Sequence, residues 1–330
     1  MRLSAFAAAF VVMLAGWGCG YVGEPLPPAL NMPLKIADLR AVERGDSIIV
    51  EFTIPDRTTE DLPLTRLGQV ELRMGPGIPP PFEFDRWREA ATVIPVKAVT
   101  PGPVSVKVPV KPWAGKDVLA AVRVSSAKGR FSDWSTLVVL PVVEPVAKPA
   151  DVRAQADPAG VKLNWQAAPR EPLSFRVYRR ADGEKDATQV GKPAASEWID
   201  TAAVFGKRYS YSVQAVLKTG ESEAESEISA PVEIVPVDKF PPAVPTGLAV
   251  AATPDSAELA WERNTDPDFS SYRVYRTLDG VSFEKVADSL AAPSYSDRQF
   301  AGKKYRYAVS AVDLRGNESA RSQLVEAGAK

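Results

Sequence analysis

Residues 206–215 read GKRYSYSVQA, and residues 302–311 read GKKYRYAVSA. Large or apolar side chains fall on alternate positions in both: Tyr209, Tyr211, Val213 and Ala215, then Tyr305, Tyr307, Val309 and Ala311. A period of two is that of a strand with one face buried, not of a helix. The stretch therefore predicts a strand, and its recurrence predicts a repeated domain.

Working outward, Phe175-Arg176-Val177-Tyr178-Arg179 matches Tyr272-Arg273-Val274-Tyr275-Arg276. Trp165 and Trp261 each stand 44 residues before the first tyrosine of the pair. Each ends an alternating run, Val161, Leu163 and Trp165 in one copy and Ala257, Leu259 and Trp261 in the other. A third, earlier copy is divergent. ADLRA at 37–41 recurs as ADVRA at 150–154 and loosens to TGLAV at 246–250. Thirteen residues after the central apolar residue of each comes a large aromatic: Phe52, Trp165 or Trp261. Ile48, Val50, Phe52 and Ile54 share one face of a strand. GKDVLAAVRV at 115–124 keeps the later spacing but has Val118 in place of the first tyrosine, and the stretch between Phe52 and this motif is longer than in the later copies.

A strand-B tryptophan, a Y-x-V-Y strand and G-x-x-Y-x-Y-x-V-x-A together resemble the fibronectin type III domain, over residues 146–330. The resemblance implies an all-β fold: three tandem immunoglobulin-like β-sandwiches of about 100 residues each, two sheets face to face. It also implies that Tyr209 and Tyr305 are tyrosine corners, and that residues 313–319 form the F–G hairpin turn. The expected organisation is a signal peptide at 1–18, a proline-rich tether at 19–33, a divergent domain at 34–143, and domains at 146–236 and 241–330. Short proline-bearing linkers, 141–149 and 231–245, predict a semi-rigid rod of roughly 100 Å.

Cys19 is the one cysteine of the chain. It follows Met1-Arg2 and an uncharged run of 16 residues, Leu3 to Gly18, the charge and apolar order of a signal peptide. That run is shorter than the roughly 20 residues a spanning helix needs. Gly16-Trp17-Gly18 would suit ordinary signal peptidase. A cysteine at the junction also resembles a bacterial lipobox, although Gly16 stands where that pattern has leucine. The resemblance implies a lipidated Cys19, with palmitate among its acyl chains, and stable membrane attachment. Gly20 in place of aspartate implies the outer membrane, facing either the periplasm or the outside.

Composition excludes several chemistries. The chain has no histidine, which removes Ser-His-Asp and Cys-His catalysis and histidine-ligated zinc. Forty basic and 41 acidic residues leave no basic stripe, so nucleic acid is not an expected partner. Carboxylate chemistry stays open, but no paired carboxylates are placed by a motif. No cofactor is expected, and the chain is expected to be monomeric.

Five features are weighed as candidates for function. Phe82, Phe84 and Trp87, beside three prolines in an expected loop, could form a contact patch, or Phe82 and Phe84 could fill the sandwich. Asp266 and Asp268 with Asp313 fall in two loops that share one end of the fold and carry oxygen ligands suited to Ca²⁺, though such residues also cap turns. Phe131-Ser132-Asp133-Trp134-Ser135 resembles the W-S-x-W-S box of cytokine receptor modules, which implies stacking with Arg123. Arg44-Gly45-Asp46-Ser47 reads as a turn, and ESEAESE at 221–227 as a solvated hairpin edge. The expected function is a non-catalytic, lipid-anchored envelope spacer or protein-interaction module. The alternative is an accessory protein for carbohydrate or cell wall.

Overall fold

The computed structural model describes residues 31–98, 100–169, 173–300 and 303–327. Cys19, the expected signal peptide and most of the tether lie outside the described residues. Among these residues the protein is almost wholly β-structure, arranged as sandwiches. It divides into two compact units. Of the described residues, the first holds 31–41, Ile49–Val108 and Lys116–Leu140. The second holds Val42–Ile48, Pro109–Gly115 and everything from Pro141 onward.

The first sandwich comprises β1 (Arg40–Arg44), β2 (Ser47–Ile54), β3 (Leu67–Pro76), α1 (Phe84–Ala90), β4 (Thr92–Ile94), β5 (Gly102–Pro109), β6 (Lys116–Ser126) and β7 (Val138–Val142). One sheet has the order β4-β3-β6-β7, and β1, β2 and β5 are hydrogen-bonded neighbours in the other. The alternation read in β2 is real: Ile48, Val50, Phe52 and Ile54 are each at most 2% exposed. Two insertions make this copy divergent, a longer β2–β3 loop and a segment after β3 that contains α1. Val118, at the corner-tyrosine position, is buried.

The second sandwich runs through β8 (Ala150–Asp157), β9 (Gly160–Gln166), β10 (Leu173–Ala181), β11 (Thr188–Gly191), β12 (Glu197–Asp200), β13 (Tyr209–Thr219), β14 (Ser222–Glu225) and β15 (Val232–Ile234). Sheet β12-β9-β8 faces a sheet that includes β11-β10-β13-β14, with β15 also paired to β13. The third sandwich has β16 (Ala249–Ala252), β17 (Ala257–Ala260), β18 (Phe269–Thr277), β19 (Glu284–Leu290), β20 (Ser294–Asp297), β21 (Tyr305–Asp313) and β22 (Val325–Ala327), in sheets β16-β17-β20 and β19-β18-β21-β22.

The two later cores are built alike. Trp165 meets the edge of Phe175 at 5.1 Å, and Trp261 meets Tyr272 at 5.2 Å. Val161, Leu163, Val177, Tyr211 and Val213 fill the one, and Ala257, Leu259, Val274, Tyr307 and Val309 the other. Each large apolar side chain so buried contributes about 1.5–3 kcal/mol relative to exposure. Tyr209 closes a tyrosine corner, its hydroxyl accepting the Val204 N–H at 2.9 Å. The stretches expected to be linkers carry structure instead. Val146 is buried in the second core, and β15 lies inside 231–245, pairing Val232 and Ile234 with Tyr211 and Tyr209. No helix of the described residues is long and apolar enough to cross a membrane.

Candidate functional site

The aromatic segment of the first unit does not present a patch. Period-two spacing of Phe82 and Phe84 suggested a loop or strand, but the chain coils into α1 from Phe84, and a helix sends Trp87 to the face of Phe84 one turn on. Trp87 is 1% exposed, on a small core with Ala91, Leu119 and Ala121. Phe84 lies between Trp87 (5.7 Å) and Trp134 (5.6 Å). Phe82 alone is exposed, at 45%. Trp87 and Phe84 thus hold the helix on the outer face of the sheet, and Arg73 locks its end by donating to the Arg88 carbonyl at 2.7 Å.

The acidic loops meet in part. Carboxylate oxygens of Asp268 and Asp313 lie within 4.8 Å of each other and of a third, Asp238, which the sequence did not single out. Asp266 turns away and accepts the Ala243 N–H at 2.6 Å. Asp313 accepts the N–H groups of Arg315 and Asn317 and the Asn317 Nδ2, all at 2.7–2.8 Å. Burial would raise the Asp313 carboxyl; the bonds from Asn317, Arg315 and Gly316 outweigh it and hold it below the usual carboxylate range. Asn317 Nδ2 also donates to the Asp238 carbonyl, and Leu314 N–H to the Asp268 carbonyl. The donor set is all oxygen, the type Ca²⁺ takes, but three carboxylates supply fewer than the 6–8 ligands it needs unless they bind in pairs. What the geometry itself shows is a fastened F–G turn.

A different acidic stretch carries more structure than its sequence suggested. ESEAESE is no solvated edge: Ala224, Glu225 and Ser226 are buried. Within the second unit β1 runs parallel to β14, with Glu43 opposite Ala224 and Arg44 opposite Glu225. The Glu225 carboxylate takes Arg44 at 2.7 Å and also Arg176, while Gln214 Nε2 donates to it at 3.2 Å. Burial pushes Glu225 up, and the bonds from Arg176 and Arg44 outweigh this and hold it low. Arg44-Gly45-Asp46-Ser47 is a turn, as read, but its arginine is engaged rather than displayed. Gly45 has φ of +53°, and a Cβ there would sit 2.8 Å from Glu227 Cγ, so the site needs glycine. Glu225→Ala is expected to remove the anchor of this hairpin tip. Exchange of the Gly45 amide, now bonded to the Glu225 carbonyl, should quicken about tenfold or more. Unchanged exchange would show that the backbone pairing alone suffices.

Two polar devices recur that sequence reading missed. Asp200 accepts from Arg179 and Tyr211 at 2.8 Å each, and Asp297 from Arg276 (2.9 Å) and Tyr307 (2.7 Å). Arg179 pairs across the sheet with Tyr211, and Arg276 with Tyr307; the equivalent pair in the first sandwich is apolar, Met74 with Ala120. The second device is S-x-x-S after the penultimate strand: Ser132 and Ser135, Ser226 and Ser229, Ser319 and Ser322. Each Oγ accepts a strand N–H at 2.9–3.2 Å and donates to the carbonyl of the next residue. These serines satisfy an edge that would otherwise present unpaired backbone groups. The repeated spacing was the available signal; only the first instance, FSDWS, drew notice. There Arg123 does stack, 4.2 Å over Phe131 and 4.5 Å over Trp134.

A groove of about 500 Å³ between residues 244–248 and Ser322–Val325 has no ionisable group in its lining. A charged hollow beside Arg180, Asp182 and Glu184 holds about 160 Å³, below the roughly 300 Å³ at which ligand pockets begin.

No family model matches the chain. It is 29% identical over 228 residues to exoglucanase B of Cellulomonas fimi, a match covering 63% of this chain and 20% of that enzyme. It is 39% identical over 84 residues to an amylopullulanase of Thermoanaerobacter thermohydrosulfuricus, covering 25% of this chain and 6% of the enzyme. The chain thus spans a fifth or less of the length of these relatives. Among solved structures, an Fn3-like protein from Clostridium thermocellum is 33% identical, covering 27% of this chain and 93% of that one, with a TM-score of 0.25. The strand pairing, the tyrosine corner and the duplicated cores make this a chain of fibronectin type III-like β-sandwiches.

Proposed function

We propose that the protein is a lipid-anchored component of the cell envelope, held on the outer membrane through Cys19 and acting without catalysis as a spacer and protein-interaction module. Its domains would be 34–143, 146–236 and 241–330. The observation that carries this reading is how the polar side chains are used. Glu225, Asp313, Asp200, Asp297 and the S-x-x-S serines fasten turns, edges and sheets to one another, as a load-carrying spacer requires. None of the four carboxylates lines a hollow described above. Lipidation of Cys19 supplies the anchor, since two or more acyl chains give stable attachment.

Mass spectrometry of the mature N-terminus tests the anchor, with Cys19→Ala as control. The expected product begins at Cys19 and carries diacylglycerol on sulfur. An unmodified thiol would overturn the anchoring and the envelope placement together.

A second reading, an accessory module for carbohydrate or cell wall, is favoured by one observation: the relatives include an exoglucanase and an amylopullulanase. Against it, Phe82 is the one aromatic among the exposed large apolar residues described, and sugar-binding faces need rows of them. Binding to a glycan and peptidoglycan array but to no envelope protein would replace the first reading by the second.

A further inference from the structure

The third sandwich displays an arginine that its own structure leaves without an anion. Arg321 lies between Ser319 and Ser322 on the segment that edges β21. Its guanidinium sits 4.2 Å over the Phe283 ring and 4.5 Å over Tyr275. The Glu318 carboxylate on the same segment is already engaged. Glu318 Oε1 accepts from the Tyr275 hydroxyl and from Ser310 Oγ at 2.5 Å each, and its Oε2 takes Arg273 at 2.5 Å. Asp288 is likewise taken, by Arg273 at 2.9 Å and by Lys285. Among the described residues Arg321 is exposed and makes no ion pair.

The chain itself shows what completes such an arginine. In the first sandwich Arg123 is stacked between two rings in the same manner, and there Glu71 takes its Nε at 2.7 Å and its NH2 at 2.6 Å. Stacking fixes the plane of a guanidinium and leaves its donor edge facing outward, preorganised for a planar carboxylate. Arg123 has that carboxylate, and Arg321 does not. The surroundings also differ. Trp134, which occupies in the first sandwich the place of Arg321 before the second serine, is covered by α1 through Phe84. Nothing described covers Arg321. Leu278 and Val281, on the same hairpin as Phe283, are 58% and 81% exposed.

From this we infer that the outer face of the β19-β18-β21-β22 sheet is a docking site for an acidic segment of a partner protein, whose carboxylate occupies the free edge of Arg321 as Glu71 occupies that of Arg123. A protein is favoured over a glycan because Arg321 already covers a face of each ring, Phe283 and Tyr275, that a sugar would stack on. Arginine and aromatic residues beside exposed apolar side chains are also the composition of protein interfaces. The inference rests on the protein-interaction reading proposed above.

The test is binding of a ten-residue peptide of alternating Glu and Val to the full chain, against the same peptide with Gln for Glu. Titration calorimetry would measure both, with polygalacturonate as an acidic glycan. The Glu peptide is expected to bind, more weakly as salt rises, and Arg321→Gln is expected to weaken it about tenfold or more. Arg321→Lys, which keeps charge but not the planar fork, should also weaken it. Arg321 is exposed, so its loss removes only the two ring contacts, and both variants should stay folded with a slightly lowered midpoint. Equal affinity for the two peptides, or an R321Q protein that binds as wild type does, overturns the inference and leaves the interaction reading standing. Binding of polygalacturonate alone overturns both.

Discussion

Asp297→Ala is expected to lower the stability of the third sandwich by about 3–5 kcal/mol, the cost of breaking a buried ion pair from one side. Asp297 is 2% exposed, and the Arg276 it holds is 7% exposed. Removing the carboxylate leaves a guanidinium buried beside the Tyr305 ring with Glu284 as its remaining anion, and a buried Tyr307 hydroxyl without its acceptor. Hydrogen exchange along Tyr305–Asp313 would report the loss sandwich by sandwich, which a single unfolding curve of a multidomain chain does not. A change below about 1 kcal/mol would refute the triad's role, since that is the worth of an ordinary neutral hydrogen bond.

The charge is not needed if its partners leave with it. Arg276→Met, Asp297→Leu and Tyr307→Phe together should recover most of the loss, because packed apolar residues replace buried ion clusters at little or no cost. The first sandwich has already made that exchange on its central strands, with Met74 and Ala120 buried at the equivalent register. The triad also sets a pH window. Burial raises Asp297, but the bonds from Tyr307 and Arg276 outweigh it, so its folded pKa lies below the unfolded value. Its contribution is therefore present above pH of about 4 and lost as pH falls below that. Tyr307 moves the other way, raised by burial and by its bond to Asp297. Its contribution is present below pH of about 10 and is lost as pH rises beyond it. The third sandwich should thus weaken at both extremes, and D297A should remove its contribution to the acid edge while only reducing the alkaline one, because Tyr307 stays buried.

The sequence disclosed what periodicity encodes. Alternation placed Ile48, Val50 and Phe52 inside, the paired Y-x-Y-x-V motifs gave two strands their cores, and the first tyrosine gave a corner. Relations between distant residues were not encoded that way. Asp200 and Arg179 become a pair only when two sheets face each other. Glu225 reads as one charge in a run of four until a strand from elsewhere lies beside it. The same blindness applied to candidate sites. Asp268 and Asp313 could be placed at one end of a sandwich, but Asp238 comes from the chain leading into it, and Asp266 has a cap to make. S-x-x-S was legible by its threefold spacing, and its meaning was not, since serine in a polar stretch has no period.

Trp87 reads from the sequence as a loop aromatic for a local reason. Phe82, Glu83 and Phe84 follow three prolines and alternate, which suits an extended chain. The helix that starts at Phe84 has seven residues, too short to persist in water without tertiary support. Its stability must therefore come from packing, and Trp87 is its one buried side chain. Trp87→Ala is expected to cost about 3–5 kcal/mol, the range for removing a buried large aromatic. The damage should be confined to α1. Strands β3 and β6 pair along Leu67–Pro76 independently of it, and a Cβ on Gly75 would already lie 3.1 Å from Ala91, so the helix rests on the sheet rather than forming part of it. Amides of residues 84–91 should lose protection while those of β3 and β6 keep theirs, and Trp134 fluorescence should shift toward that of a wetter indole. Trp87→Phe should cost far less, about 1 kcal/mol, because it keeps most of the apolar volume and removes a buried indole N–H that has no acceptor. If W87A left exchange in 84–91 unchanged, α1 would be held by Arg73 and Phe84 instead.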